Sequence, residues 1–173
     1  MTPRLVIIGV PGSGKSTLAA HLAQLLGCDV TETDDLIAAG MGRSAADLLL
    51  EDGQEAFDRA EDAAFARALD DAEGIVVLGG GVLDRPDNVG RLAGVREQGT
   101  PLVETRCPMP VLVTRLGLNV PRPVGVGAPR LWVREMERER HERWSVLDPL
   151  VVDTSRAAPA AQARDVAAAI SAG

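Results

Sequence analysis

Leu5-Val6-Ile7-Ile8-Gly9-Val10-Pro11-Gly12-Ser13-Gly14-Lys15-Ser16-Thr17 is the stretch that decides the architecture. Its first four residues form a short β-rich apolar run. Residues 9–16 then fit G-x-x-x-x-G-K-[ST], and a helical pattern follows from Ser16 to Leu26, stopped by Gly27. Strand, glycine loop and helix are the context this motif requires. The glycines let backbone N–H groups curl around a phosphate, and the helix N-terminus adds partial positive charge at the same point. Lys15 is placed to reach β- and γ-phosphates, and the Ser16 hydroxyl to meet Mg²⁺. The motif reads as nucleoside triphosphate binding and leaves the reaction open.

Strand and helix patterns alternate outward from this loop. Asp29 to Thr33 reads as extended, Ser44 to Leu50 as a short helix capped by Ser44, and Gln54 to Asp71 as a longer helix. Ile75 to Leu78 is an apolar strand that runs into Gly79-Gly80-Gly81. Pro86 suits the first turn of a helix reaching about Gln98. Pro101 to Thr105 reads as a strand, Pro110 to Leu116 as a helix, and Leu131 to Trp144 as a charged helix. Leu150 to Val152 is a last strand, and Pro159 to Ala172 a closing helix. Five short apolar strands separated by helices predict an α/β domain with a parallel sheet covered on both faces, one domain over residues 1–173. The stretch from Leu118 to Arg130, rich in Pro and Gly, reads as a loop, of a length typical of a functional lid or a disordered segment.

Composition excludes several classes. The net charge is -7 and aromatic residues make up 2%, so the chain lacks the basic footprint and stacking platforms of a nucleic-acid binder. No apolar run reaches membrane-spanning length, and the first ten residues do not read as a signal peptide. Cys28 and Cys107 match no metal or redox spacing and are read as reduced, which fits a cytoplasmic location. His21 and His141 are read as surface helix residues. The basic residues are 17 arginines and a single lysine, Lys15.

Beyond the phosphate loop, the order of motifs resembles the shikimate kinase family, a branch of the nucleoside-monophosphate-kinase-like P-loop group. The family's D-x-D appears as Glu32-Thr33-Asp34, its G-x-[ST]-[IV]-x-[DE] region as Gly42-Arg43-Ser44 with Asp47, and its G-E-x-x-F as Gly53 to Phe57. Leu78 to Gly81, Arg115-Leu116-Gly117, Arg122-Pro123, the charged helix from Arg134 to Trp144, and Val152-Asp153-Thr154 follow in order. The resemblance implies a three-layer P-loop kinase fold with a five-stranded parallel sheet and a lid at about 117–130. It implies ATP-dependent phosphorylation of the 3-hydroxyl of shikimate with Mg²⁺, and a monomer. Residue by residue, it implies ATP binding by Gly12, Ser13, Gly14, Lys15, Ser16 and Thr17. Arg115 and Arg156 would flank the adenine, Ser16 and Glu32 would hold the metal, and Arg122 would enter from the lid onto the transferring phosphoryl. Asp34 would hold the acceptor hydroxyls and take the proton. Gly79, Gly80 and Gly81 would let the backbone approach the acceptor, and Arg140 would pair with its carboxylate.

Two positions depart from the pattern. Glu32 stands for the first Asp of D-x-D and keeps the charge. The family's F-R-x-x-E reads Phe57-Asp58-Arg59-Ala60-Glu61, so Asp58 occupies the acceptor position of an arginine that grips the shikimate carboxylate. Neighbouring helix residues point about 100° apart, so Arg59 replaces it only if the helix is distorted. Otherwise Arg140 holds the carboxylate alone, or the acceptor has no carboxylate and Asp58 pairs with an amine or hydroxyl. The sequence therefore carries three functional readings. They are a shikimate kinase, a related kinase of another polyol or amino-cyclitol, and a low-turnover nucleotide-binding regulator.

Overall fold

The strand Leu5–Gly9 buries both faces and is apolar up to its closing glycine, and the phosphate loop follows this fully buried strand. The structure, a computed structural model, describes residues 2–118 and 129–171. Its sheet contains β1 (Leu5–Gly9), β2 (Val30–Glu32), β3 (Ile75–Val77), β4 (Leu102–Arg106) and β5 (Leu150–Asp153), all parallel, in the order β2-β3-β1-β4-β5. From β1 the chain crosses to the edge strand β2 and returns through β3, then passes to β4 and β5 on the other side, so the loop after β1 sits where the direction of the connections reverses. In open α/β sheets that crevice, beyond the carboxyl ends of the strands, is where ligands bind.

Alternate residues of each central strand serve opposite cores. Val6, Ile8, Val76, Leu78 and Leu102 pack with Phe65, Leu69, Leu92, Val133 and Trp144 on one face. Leu5, Ile7, Ile75, Val77 and Val103 pack with Leu18, Leu22, Ala163 and Val166 on the other. The helices supplying these residues are α1 (Lys15–Leu26), α3 (Ala45–Asp71), α4 (Pro86–Glu97), α6 (Pro129–Trp144) and α7 (Pro159–Ser171). The remaining helices are α2 (Thr33–Met41) and α5 (Met109–Arg115). The edge strands are less covered than the sequence suggests: β2 is half-buried, and Leu150 and Val151 of β5 are exposed. No helix among the described residues is long and apolar enough to cross a membrane.

Three local features refine the sequence reading. The two helices expected at 44–50 and 54–71 are continuous through α3 except at Gly53, whose φ of 82° and ψ of 178° break the helix. Only glycine adopts that conformation readily. Ser44 caps the first half as expected, its Oγ accepting the Asp47 N–H at 3.1 Å. A helix, α2, begins directly after β2, at Thr33, which the sequence pattern places in an extended stretch. Thr33 is buried and its Oγ1 accepts the Gly79 N–H at 2.7 Å, which ties the start of α2 to the turn after β3.

His141 is a correction. It is not a surface residue: its side chain is 15% exposed and Nδ1 meets Glu104 Oε1. Glu104 sits fully buried on β4, where a carboxylate needs partners; His141 meets one oxygen from α6 and Arg106 Nη2 meets the other at 2.8 Å.

Candidate active site

The phosphate loop closes on itself through hydrogen bonds to neighbouring strands. Ser13 is fully buried and its Oγ lies 2.7 Å from Thr105 Oγ1, while Thr105 Oγ1 donates to Ile8 O at 3.3 Å. Thr154 Oγ1, from the end of β5, donates to Ser13 O at 2.6 Å. These bonds hold the loop from β1, β4 and β5 at once. Lys15 Nζ donates to Gly9 O at 2.9 Å and Val10 O at 3.3 Å, inside the curl of the loop. Burial lowers its pKa to about 8, against the pull of Asp34 and Glu32 and with a further push from Arg140. A buried ammonium held on two loop carbonyls near its titration point is poised to gain from an anionic ligand.

Beside the loop lies a cavity of about 430 Å³ lined by Gly12, Gly14, Lys15, Ser16, Thr17, Arg115 and Thr154, among others. Arg115 is fixed at its rim, donating to Thr154 Oγ1 at 2.9 Å and to Gly12 O at 3.3 Å. Arg156 is placed elsewhere. Its exposed side chain pairs with Asp153 at 2.9 Å, and it is not among the described residues lining this cavity. Ser16 Oγ donates to Glu32 Oε2 at 2.9 Å, so the two residues expected to hold a metal are in contact. Two hard oxygen donors next to a phosphate cradle suit Mg²⁺, which keeps several waters and takes few protein ligands.

On the other side of Lys15 is the turn Gly79 to Gly81. A Cβ on Gly79 would stand 2.7 Å from Asp34 Oδ1, on Gly80 3.2 Å from Arg140 Nη1, and on Gly81 3.2 Å from Glu61 Oε1. The turn is thus surrounded by Asp34 from α2, Glu61 from α3 and Arg140 from α6, and any side chain on it would displace them. Arg140 is held side-on by Asp84, with Nε at 3.0 Å and Nη2 at 2.5 Å, and Arg143 meets the same carboxylate at 2.7 Å. Asp58 lies on the outer part of α3, its carboxylate accepting from Gln54 at 2.7 Å.

A family model for shikimate kinase matches residues 11–171. The chain is 36% identical to a shikimate kinase of Thermobifida fusca over 157 residues, 91% of this chain and 88% of that one. It is 35% identical to one of Mycobacterium tuberculosis over 167 residues, 96% and 92% of the two chains. The chain belongs to the shikimate kinase family. A solved shikimate kinase from Acinetobacter baumannii, in complex with shikimate, superposes with a TM-score of 0.84 at 21% identity, covering 99% of this chain and 94% of that one. At that identity the superposition speaks for the fold.

Most of the residues expected from the shikimate kinase resemblance meet in one crevice: Gly12 to Thr17, Glu32, Asp34, Gly79 to Gly81, Arg115 and Arg140. Arg122 lies outside the described residues, as does most of the stretch expected to form the lid. Sequence reasoning missed Asp84, Arg85 and Thr105, and quoted Thr154 only within the strand-end motif, with no role. The charged dipeptide Asp84-Arg85, directly after the glycine turn, was the available signal, because a turn beside a site rarely spends two opposite charges on solvent alone.

Proposed function

We propose that the chain is an ATP-dependent kinase that phosphorylates the 3-hydroxyl of shikimate. The observation that carries this is the shared crevice. The phosphate loop and the glycine turn, with Asp34 and Arg140 set around it, open at the same end of the sheet beside Lys15, in a member of the shikimate kinase family. A nucleotide held by residues 12–17 would direct its γ-phosphate toward the turn, with Arg115 beside the base. The acceptor oxygen bonds to the γ-phosphorus as the bond to the β–γ bridging oxygen breaks. Its proton passes to Asp34, and ADP leaves. Lys15 stabilises the negative charge on the transferring group as a point charge on a flexible stem. Ser16 and Glu32 would hold Mg²⁺, which when bound neutralises phosphate charge. Arg140 pairs with the acceptor carboxylate, and Arg122 would add a second cation to the phosphoryl group.

The test is an ATP-consumption screen against shikimate, quinate, aminoshikimate, cyclitols and gluconate. Shikimate should give the highest kcat/KM, and Lys15→Ala should lower its turnover by about a hundredfold or more. Phosphorylation of an amino-cyclitol with none of shikimate would overturn the acceptor.

A further inference from the structure

Position 58 lacks the cation that would face Arg140 across the acceptor, but an arginine from another element stands beside Asp58. Arg85 follows Asp84 in sequence, and the two point opposite ways. Asp84 faces α6 and grips Arg140, while Arg85 faces α3. There Arg85 Nη2 meets Glu61 Oε2 at 2.8 Å and Nε meets Asp62 Oδ1 at 2.6 Å. The third nitrogen, Nη1, stands 3.5 Å from Asp58 Oδ1, the loosest of the three contacts. Asp58 Oδ1 is drawn back along its own helix by Gln54 Nε2 at 2.7 Å, and its side chain is 40% exposed.

Glu61 connects this arginine to the acceptor turn. Its side chain is 3% exposed, with Oε2 on Arg85 and Oε1 lying against Gly81. Burial raises the Glu61 pKa, and Arg85 opposes that rise. The two arginines therefore flank the turn, Arg140 from the α6 side and Arg85 from the α3 side. Each is locked by carboxylates through Nε and Nη2, and each leaves Nη1 with its weakest partner. For Arg140 that partner is the Met136 sulfur at 3.2 Å. A carboxylate offers two oxygens and matches two such nitrogens.

We infer that Arg85 supplies the second cation for the acceptor carboxylate, opposite Arg140, and that Asp58 is the placeholder which the acceptor displaces from Arg85 Nη1. The arginine–carboxylate pair expected within one helix is here built between α3 and the turn before α4. This rests on the proposed acceptor and names a positioning and specificity residue for it. Asp58 then belongs to the site as a competitor for Arg85 rather than as a partner of an amine.

Steady-state kinetics of the full chain with shikimate and its methyl ester tests this, because the ester removes only the charge that Arg85 reads. Arg85→Gln should raise KM for shikimate by about tenfold to a hundredfold, the range for losing one charge-assisted hydrogen bond. KM for ATP should stay within about twofold, and the acid-over-ester preference should fall by the same factor as shikimate KM rises. Arg85→Lys should restore part of that preference. Asp58→Asn leaves Arg85 in place, which keeps the inference testable if Arg85→Gln does not fold, and should lower KM for shikimate several-fold. An unchanged acid-over-ester ratio in Arg85→Gln, or a raised KM in Asp58→Asn, would overturn the role of Arg85. A wild type that fails to phosphorylate shikimate would instead overturn the acceptor assignment itself.

Discussion

Lys15 occupies a position that a guanidinium does not fill on the same terms. Its ammonium reaches two carbonyls inside the loop that Gly9 opens, and it is a compact charge where arginine presents a planar fork. In a chain whose other 17 basic residues are all arginine, this site marks where a compositional preference met a chemical requirement. Burial keeps its pKa at about 8, well below the ordinary lysine value of about 10.4. The neutral amine is the reactive form, so labelling of residue 15 by an amine-directed reagent should rise through about pH 8, as read by peptide mapping. Saturating Mg·ATP should protect it, because phosphates occupy the same cradle and favour the ammonium. Labelling that waits for pH 10, or is indifferent to ATP, would contradict the loop geometry. At the same scale, Ser13 and Thr154 show why the motif needs neighbours. A loop of this curvature is held by hydroxyls reaching in from β4 and β5, which the motif itself does not specify.

Helices α6 and α3 decide where the acceptor side sits. Helix α6 carries Arg140, and it is tied to the sheet by His141 and Glu104. Glu104 also pairs with Arg106 at 2.8 Å, and His141 Nε2 lies 3.5 Å from Glu137. Burial pushes the Glu104 carboxyl up, but the bonds from His141 and Arg106 outweigh it and hold the carboxyl below its ordinary value. A depressed carboxylate contributes stability above its unfolded pKa and loses it as pH falls through the folded one. Glu104→Gln should therefore cost about 3 kcal/mol at neutral pH, toward the low end for a broken buried pair because Arg106 is partly exposed. It should also flatten the loss of stability below about pH 4.5, the carboxyl's unfolded value. Urea unfolding at several pH values measures both. The break in α3 offers a second test. Gly53→Ala forces a side chain into a glycine-only conformation and should cost about 1–3 kcal/mol. The loss should appear in urea unfolding, through the packing of Leu48 on Ile37 and Ala64.

Across the whole molecule, the sheet order brings the phosphate loop and the glycine turn into one crevice at the carboxyl ends of the strands, and folding and binding are linked through it. Mg·ATP at about a hundred times its Kd should stabilise the chain by about 2.7 kcal/mol. For a domain of this size that is a rise in Tm of about 5–10 °C. Adding EDTA with ATP should remove part of the shift if Ser16 and Glu32 hold the metal, and thermal melts with and without chelator would show it. Shikimate added to Mg·ATP-free protein should give a separate, smaller increase.

Local patterns determined the strands, most helices, the parallel sheet and the phosphate site, because each depends on periodicity or on residues adjacent in the chain. The apolar runs at 5–8 and 75–78 must be buried on both faces wherever they lie, and a glycine loop between strand and helix binds phosphate by its own backbone. Asp34 and Arg140 were legible through motif order, though not the α2 helix that starts beneath Asp34. Only the tertiary structure decided what faces the acceptor turn. Asp58 and Glu61 come from α3 and Asp84 and Arg85 from the turn before α4, and nothing local in the chain says that Arg85 meets Glu61 or that His141 meets Glu104. Those pairs form because burial makes an unpartnered charge costly, and which charges are buried together is settled by how the helices pack on the sheet.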